Sequence, residues 1–147
     1  MTVLALDPAT ACGWAIMPYG VSGVKDLTPT GKNLHPGKRY QRLRNLMRDK
    51  RTEFPDISLI AYELPIGEST SQIQKAYSHG YVAIIQLFCA EHGLGSRGIY
   101  SGTLKKFVTG RGNASKDEMI AAIKARGFNP QSHDEADAIG IALWASQ

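Results

Sequence analysis

Cysteine is scarce in this chain. Cys12 and Cys89 are the only two in 147 residues, too few and too far apart for a zinc site or a disulfide framework. They read as reduced, buried thiols of a cytosolic protein. Long apolar runs are missing too, and none approaches the roughly 20 residues that a membrane-spanning helix needs. The apolar start, Met1-Thr2-Val3-Leu4-Ala5-Leu6-Asp7, has no basic segment before it and meets a carboxylate early. It reads as a strand and not as a signal peptide. Repeats, low-complexity tracts and linkers are absent, so residues 1–147 are expected to form one domain. With 43% hydrophobic and 20% charged residues, the composition excludes disorder.

Acid is scarce in one particular stretch. The net charge is +4 and the pI is about 9.1, a weak pointer to an anionic partner. The distribution says more. Eight of the 17 Lys and Arg residues lie between Lys32 and Arg51 (Lys32, Lys38, Arg39, Arg42, Arg44, Arg48, Lys50 and Arg51), opposed there only by Asp49. A second group comprises Arg97, Lys105, Lys106, Arg111 and Lys116. Each cluster is either a solvated helix face or a surface for nucleic acid.

Periodicity gives a coarse order of elements. Thr2–Asp7 is a short apolar run closed by Pro8, hence a buried strand. Residues 13–17 make a hairpin with it, and 23–27 form a weaker third strand. Tyr40, Leu43, Leu46 and Met47 recur at helical spacing, predicting an amphipathic helix over Gly37–Glu53 with its arginines on the other side. Residues 57–63 form a fourth strand, apolar until Glu63 and stopped by Pro65. A long helix over 71–92 carries a stripe of small and aliphatic residues (Ala76, Gly80, Ala83, Ile84, Leu87) and ends at Gly93 and Gly95. A short strand at 98–101 and a basic helix at 103–108 follow. Ser115-Lys116-Asp117-Glu118 and Ser132-His133-Asp134-Glu135 are both capping-box sequences opening helices. A meander followed by alternating helix and strand predicts a mixed α/β sheet with helices on both faces.

Four carboxylates stand out by position. Asp7 ends the first strand and Glu63 the fourth. Asp134 and Asp137 lie three apart in the first turns of the last helix, on one face. If the two strands run parallel as neighbours, Asp7 and Glu63 emerge at the same sheet edge, where open α/β sheets place their sites. Carboxylates gathered this closely repel, and some take up protons unless a cation intervenes. Magnesium favours a few carboxylates plus substrate phosphate. Two such ions can activate water and stabilise the leaving oxygen of a phosphodiester displacement. The pattern therefore points to divalent-metal chemistry at a phosphodiester, with Mg2+ or Mn2+ as the ion and no small-molecule cofactor. His133, beside Asp134, is either a ligand, a proton shuttle or an exposed helix-end residue. Lys116 either meets a phosphate or is an exposed member of its capping box.

Four segments resemble the RuvC-type Holliday junction resolvases, in order and over nearly the whole chain. Leu4-Ala5-Leu6-Asp7-Pro8-Ala9-Thr10-Ala11-Cys12-Gly13-Trp14-Ala15 is similar to the family's opening, with an aspartate on the first strand and a glycine on the second. Ala61-Tyr62-Glu63 matches its strand-four glutamate. The segment from Leu104 to Lys116 is similar to its basic, glycine-punctuated motif. Asp134-Glu135-Ala136-Asp137-Ala138-Ile139-Gly140-Ile141-Ala142 resembles its closing motif. The resemblance implies a ribonuclease-H-like fold, a homodimer contacting through the 71–92 helix, two magnesium-type ions per site, and paired nicks across a four-way DNA junction that leave 5′-phosphate and 3′-hydroxyl ends. It places metal-binding and catalytic roles on Asp7, Glu63, Asp134 and Asp137, with Lys116 as a further catalytic candidate. Lys38, Arg39, Arg42, Lys105, Lys106 and Arg111 become the expected DNA contacts. Three departures stand out. Ala9 replaces a usual glycine. Cys12 replaces a frequent threonine. The chain reads Leu64-Pro65-Ile66-Gly67-Glu68 where bacterial members commonly carry an aromatic that helps open the junction.

Other readings compete. The same fold serves nucleases that act on forks, flaps or structured RNA. A junction-binding protein without catalysis is the second rival, and the four carboxylates argue against it. A sugar-kinase or actin-like ATPase is the third, but such proteins need two domains and a second phosphate loop, for which this chain is too short. The expected setting is cytoplasmic and DNA-associated, with no membrane partner.

Overall fold

The computed structural model describes residues 1–31, 35–65 and 71–147. Among them lie five strands: β1 (Thr2–Asp7), β2 (Ala11–Met17), β3 (Val21–Asp26), β4 (Ile57–Leu64) and β5 (Gly95–Tyr100). Five helices accompany them: α1 (Gly37–Glu53), α2 (Gln72–His92), α3 (Ser101–Thr109), α4 (Lys116–Ala125) and α5 (His133–Ala145). The strands form one sheet in the order β3-β2-β1-β4-β5. The β1–β2–β3 meander is antiparallel, whereas β4 and β5 join in parallel. The mixed five-stranded α/β sheet expected from the sequence is the one the chain adopts.

Burial on both faces explains why β1 is apolar at nearly every position. Successive residues of a strand point to opposite faces. Val3 and Ala5 enter a core closed by α3, α4 and α5. Leu4 and Leu6 enter a second core closed by α1 and α2. α1 buries Leu43, Leu46 and Met47, and α2 buries Tyr81, Ile85, Phe88 and Cys89. Cys12 and Cys89 are both free and buried. No described helix is long and apolar enough to cross a membrane.

Several local details differ from the sequence reading. Only Gly93 terminates α2, in the left-handed region at φ 67°. Gly95 instead opens β5 opposite Leu59, where a Cβ would stand 3.0 Å from the Leu59 Cδ1. The strand therefore starts three residues earlier than its apolar residues suggest. Gly80 does not lie on a free stripe: a Cβ there would come within 2.3 Å of the Tyr40 hydroxyl, so α1 packs against α2 at this point. Ala76, Ala83 and Leu87 remain exposed, joined by Ile73. Trp14 and Trp144 are partly buried and pack against the two cores. Lys32 and the 66–70 segment that replaces the family's aromatic lie outside the described residues.

Candidate active site

The sheet places Asp7 and Glu63 side by side. Leu6 pairs with Tyr62 across the parallel β1–β4 ladder, so the next residue of each strand leaves the sheet at the same edge. Both continue the alternation of Ala5 and Ala61, which face α5. On the other side Asp7 pairs with Gly13 of β2. A Cβ at Gly13 would lie 2.0 Å from the Asp134 carbonyl oxygen. The bare backbone at Gly13 is therefore what lets the first turn of α5 reach the sheet, bringing Asp134 and Asp137 to Asp7.

A second device fixes the same helix end. Ser132 caps α5, its hydroxyl accepting from the Glu135 backbone N–H at 3.2 Å. The expected capping box is only half formed, because the Glu135 side chain does not return to Ser132. It accepts instead from the Ser22 hydroxyl at 2.6 Å and from the Gln131 backbone N–H at 2.9 Å. Glu135 is 7% exposed, and this buried carboxylate ties α5 to β3. In the sequence it reads as one more acid of the closing motif. Its structural duty needs Ser22, more than a hundred residues away.

Asp7, Glu63, Asp134 and Asp137 line one pocket of about 260 Å³, together with Ser101, Lys105, Lys116 and His133. Burial pushes the Asp7 carboxyl well above the ordinary range, and the charges of Glu63, Asp137 and Asp134 push it further. A hydrogen bond between the two side chains adds to the rise at Asp7 and pulls Glu63 the other way. Glu63 is also raised by burial, opposed by that hydrogen bond, by Lys105 and by the Ser101 hydroxyl. Asp137 is raised to about 7 by burial and by Glu63 and Asp134, against the pull of Lys105 and Lys116. His133 Nε2 stands 3.3 Å from Asp134 Oδ1. The four carboxylates share the pocket without being drawn to one point: among the described residues no three ligand-type side chains are gathered closely enough to hold an ion as they stand.

The basic residues divide. Lys105 and Lys116 belong to the carboxylate pocket, so Lys105 is closer to the chemistry than a backbone contact would be. Lys106 is exposed on α3. Arg111 pairs with Glu118 on the surface. On α1, Lys38 is exposed. Arg39 donates to the Thr10 hydroxyl at 3.3 Å, and Arg42 donates to Thr30 at 2.9 Å. Ser101 is the pocket residue that sequence reasoning missed. Serine at a strand-to-helix junction is common, and nothing local marks it as a partner of Glu63.

A mixed sheet of this order, with an acidic pocket at the carboxyl ends of β1 and β4 and α5 crossing them, defines a ribonuclease-H-like protein. Solved structures agree on the fold. The chain superposes on Thermus thermophilus RuvC with a TM-score of 0.77 at 19% identity, covering 97% of this chain and 92% of that one. Against T. thermophilus RuvC in complex with Holliday junction substrate the TM-score is 0.77 at 18% identity, covering 97% and 91%. No family model matches. Among curated proteins, the crossover junction endodeoxyribonuclease RuvC of Rickettsia akari (strain Hartford) is 30% identical over 153 residues, covering 97% of this chain and 94% of its own. That of Rickettsia bellii (strain OSU 85-389) is 30% identical over 156 residues with the same coverage. The chain belongs to the RuvC family of crossover junction endodeoxyribonucleases.

Proposed function

We propose that this protein is a divalent-metal-dependent endonuclease that resolves four-way DNA junctions by paired nicks. The observation that carries the reading is the meeting of Asp7, Glu63, Asp134 and Asp137 in one pocket, in a chain whose relatives are crossover junction endodeoxyribonucleases.

The residues fit a pair of hard cations. All four candidate ligands offer carboxylate oxygen, the donor that magnesium and manganese favour. Burial first, and neighbouring carboxylates second, raise Asp7, Glu63 and Asp137, a strain that a bound cation relieves. Asp7, Glu63, Asp134 and Asp137 would hold Mg2+ or Mn2+, two per site. When bound, such ions favour a hydroxide nucleophile near neutral pH and stabilise the leaving oxygen of an in-line displacement. The chain's own groups do the rest. Lys105 and Lys116, on the pocket wall, hold the scissile phosphate against the acidic floor. His133, beside Asp134, carries a proton to or from solvent. Lys38, Arg39, Arg42, Lys106 and Arg111 hold backbone phosphates, which position DNA without reading its sequence.

Paired cuts need two sites related by a two-fold axis, which an isologous homodimer supplies. The exposed Ile73, Ala76, Ala83 and Leu87 of α2 form the contact, while Gly80 serves the α1–α2 packing within one subunit.

The test is cleavage of a synthetic four-way junction beside a linear duplex, a fork and an RNA-containing branch, with Mg2+, Mn2+ or EDTA. Coordinated nicks in the junction, dependent on the metal, are expected, with the duplex left intact. Preferential cutting of the fork or the RNA would move the substrate to another branched nucleic acid.

A further inference from the structure

A second concavity lies on the opposite face of the sheet. Trp14 shares its face of β2 with Cys12 and Ile16 and packs on the α1–α2 core, whereas the carboxylates face α5. Between α1 and the β2–β3 edge is a cleft of about 470 Å³, roomier than the carboxylate pocket and within the roughly 300–1,000 Å³ range of small-ligand sites. Its wall carries three cations, Lys25, Arg42 and Lys50, one acid, Asp49, and one amide, Asn45, around Trp14.

The floor of this cleft is built with care. The Lys50 ammonium stands 3.7 Å over the Trp14 ring, and its side chain is only 15% exposed, unusual for lysine. Glu53 meets it at 3.4 Å. Trp14 in turn lies against Gly23, where a Cβ would come within 2.9 Å of the ring. Among the described residues neither Lys25 nor Arg42 is within ion-pair distance of a carboxylate. Glu53 and Asp26 draw on Lys50 and Arg42 from outside the cleft, but its own lining carries three cations against one acid and so focuses a positive field, which makes the ligand an anion. Asn45 and Asp49 lie four apart on α1, hence on one side of the helix. An amide and an acceptor-only carboxylate are the groups that hydrogen-bond base edges.

Two arginines of α1 run from the cleft towards the β1–β2 turn. Arg39 bonds Thr10 in the turn that follows Asp7. Arg42, the next residue along that side of α1, bonds Thr30 and lines the cleft. A track of cations therefore leads from the β1–β2 turn to Trp14.

We propose that this cleft is an accessory nucleotide subsite, taking one nucleotide of the DNA strand that enters the carboxylate pocket. The phosphate lies against Lys25, Arg42 and Lys50, and the base edge against Asn45 and Asp49. The choice of a DNA strand as ligand rests on the nuclease reading above.

Tryptophan fluorescence tests it. With Trp144→Phe, Trp14 is the sole tryptophan, since the chain has two. That protein is titrated with 5′-phosphorylated tetradeoxyadenylate in EDTA, and separately with inorganic phosphate. The oligonucleotide is expected to change the Trp14 emission saturably. Lys25→Glu should weaken the apparent affinity five-fold or more, and Lys25→Gln less but in the same direction, with both variants melting within a few degrees of the parent. Phosphate should need at least ten-fold higher concentration. No emission change, or equal affinity in both folded Lys25 variants, overturns the subsite. An equal response to inorganic phosphate overturns the nucleotide assignment in favour of a simple anion site. Junction cleavage by the same Trp144→Phe protein separates the two readings. Cutting without a fluorescence response defeats the subsite alone. A response without cutting of any branched DNA defeats the nuclease reading and leaves the subsite standing.

Discussion

The two faces of this sheet end in opposite chemistry, and they are built to different standards. On the α5 face the acids are buried (Asp7, Glu135) or half-buried, and their backbone is fixed by close contacts: Gly13 against the Asp134 backbone, Glu135 against Ser22 and Gln131. On the α1 face the cations are half-buried or exposed, and several are held by single hydrogen bonds to threonines or by an aromatic ring, as Arg39 is by Thr10 and Tyr77. Like charges brought together in a poorly solvated pocket store repulsion, so the backbone around them must be over-determined. Cations that meet a phosphate backbone keep their hydration and need only be numerous. The difference predicts that single changes are severe on the first face and graded on the second.

The largest effect is expected at Asp7. Asp7→Asn keeps the shape of the side chain but removes the ionisable oxygen beside Glu63. Junction cleavage should fall by about a thousand-fold or more, the scale on which a central group in an electrostatic site acts, while junction binding in EDTA persists. A variant that cuts at the parental rate would remove Asp7 from the chemistry. Gly13→Ala comes next. Its Cβ meets backbone and not a flexible side chain, so α5 must move or the strand must shift. Overpacking of this kind costs about 1–3 kcal/mol, roughly 2–10 °C in melting temperature for a chain of this size. Cleavage should fall further than stability alone explains, because Asp134 and Asp137 move with the helix. A melting temperature within 1 °C of the parent would show that α5 does not rest on this glycine.

How far the sequence disclosed this contrast depends on the range of each interaction. Thr2–Asp7 and Gly37–Glu53 are legible because their periodicity and terminators are local, and their bounds coincide with β1 and α1. The four carboxylates are legible as a group because strand ends and an i, i+3 pair are local features. The fixing devices are not. Glu135 leaves its capping box for Ser22, Gly80 yields its space to Tyr40, and Ser101 turns to Glu63. Each partner lies tens of residues away in sequence, so helical or strand spacing carries no trace of it.

Acidity separates the two faces again at moderate cost. In the metal-free protein Asp137 titrates at about 7, against an ordinary 3.8. Raised by burial first, the folded state holds its proton over that interval while the unfolded chain has lost it. The associated stability is complete below about pH 4 and disappears as the pH rises through about 7. Three units correspond to about 4 kcal/mol at most, and residual exposure reduces that to about 2–3 kcal/mol. The metal-free protein should melt several degrees lower at pH 8 than at pH 5, and Asp137→Asn should flatten that difference. Added Mg2+ should raise the melting temperature more at pH 8 than at pH 5, since protons compete for the ligands. An Asp137→Asn protein with the parental pH profile would place the strain elsewhere.

The smallest effect is expected on the α1 face, and Lys38 offers its cleanest measurement. Its side chain is exposed, and no hydrogen bond or ion pair ties it to another described residue. Lys38→Ala therefore removes a charge with little disturbance of packing, unlike Arg39, which also covers the Tyr77 ring at 4.5 Å. A cation that neutralises one phosphate releases about 0.9 of a counterion from duplex DNA. Plotting the logarithm of the junction-binding constant against the logarithm of the salt concentration should give a slope lower in magnitude by about 1 for the variant. Binding at low salt should weaken by the same factor for junctions of different sequence, since a phosphate contact reads no base. Cleavage at saturating enzyme should stay within about two-fold of the parent, in contrast to Asp7→Asn. If the slope is unchanged, Lys38 does not touch the DNA and the track of cations begins at Arg39. If the loss depends on sequence, the α1 face reads bases as well as phosphates, and the division between the two faces is less sharp than their construction suggests.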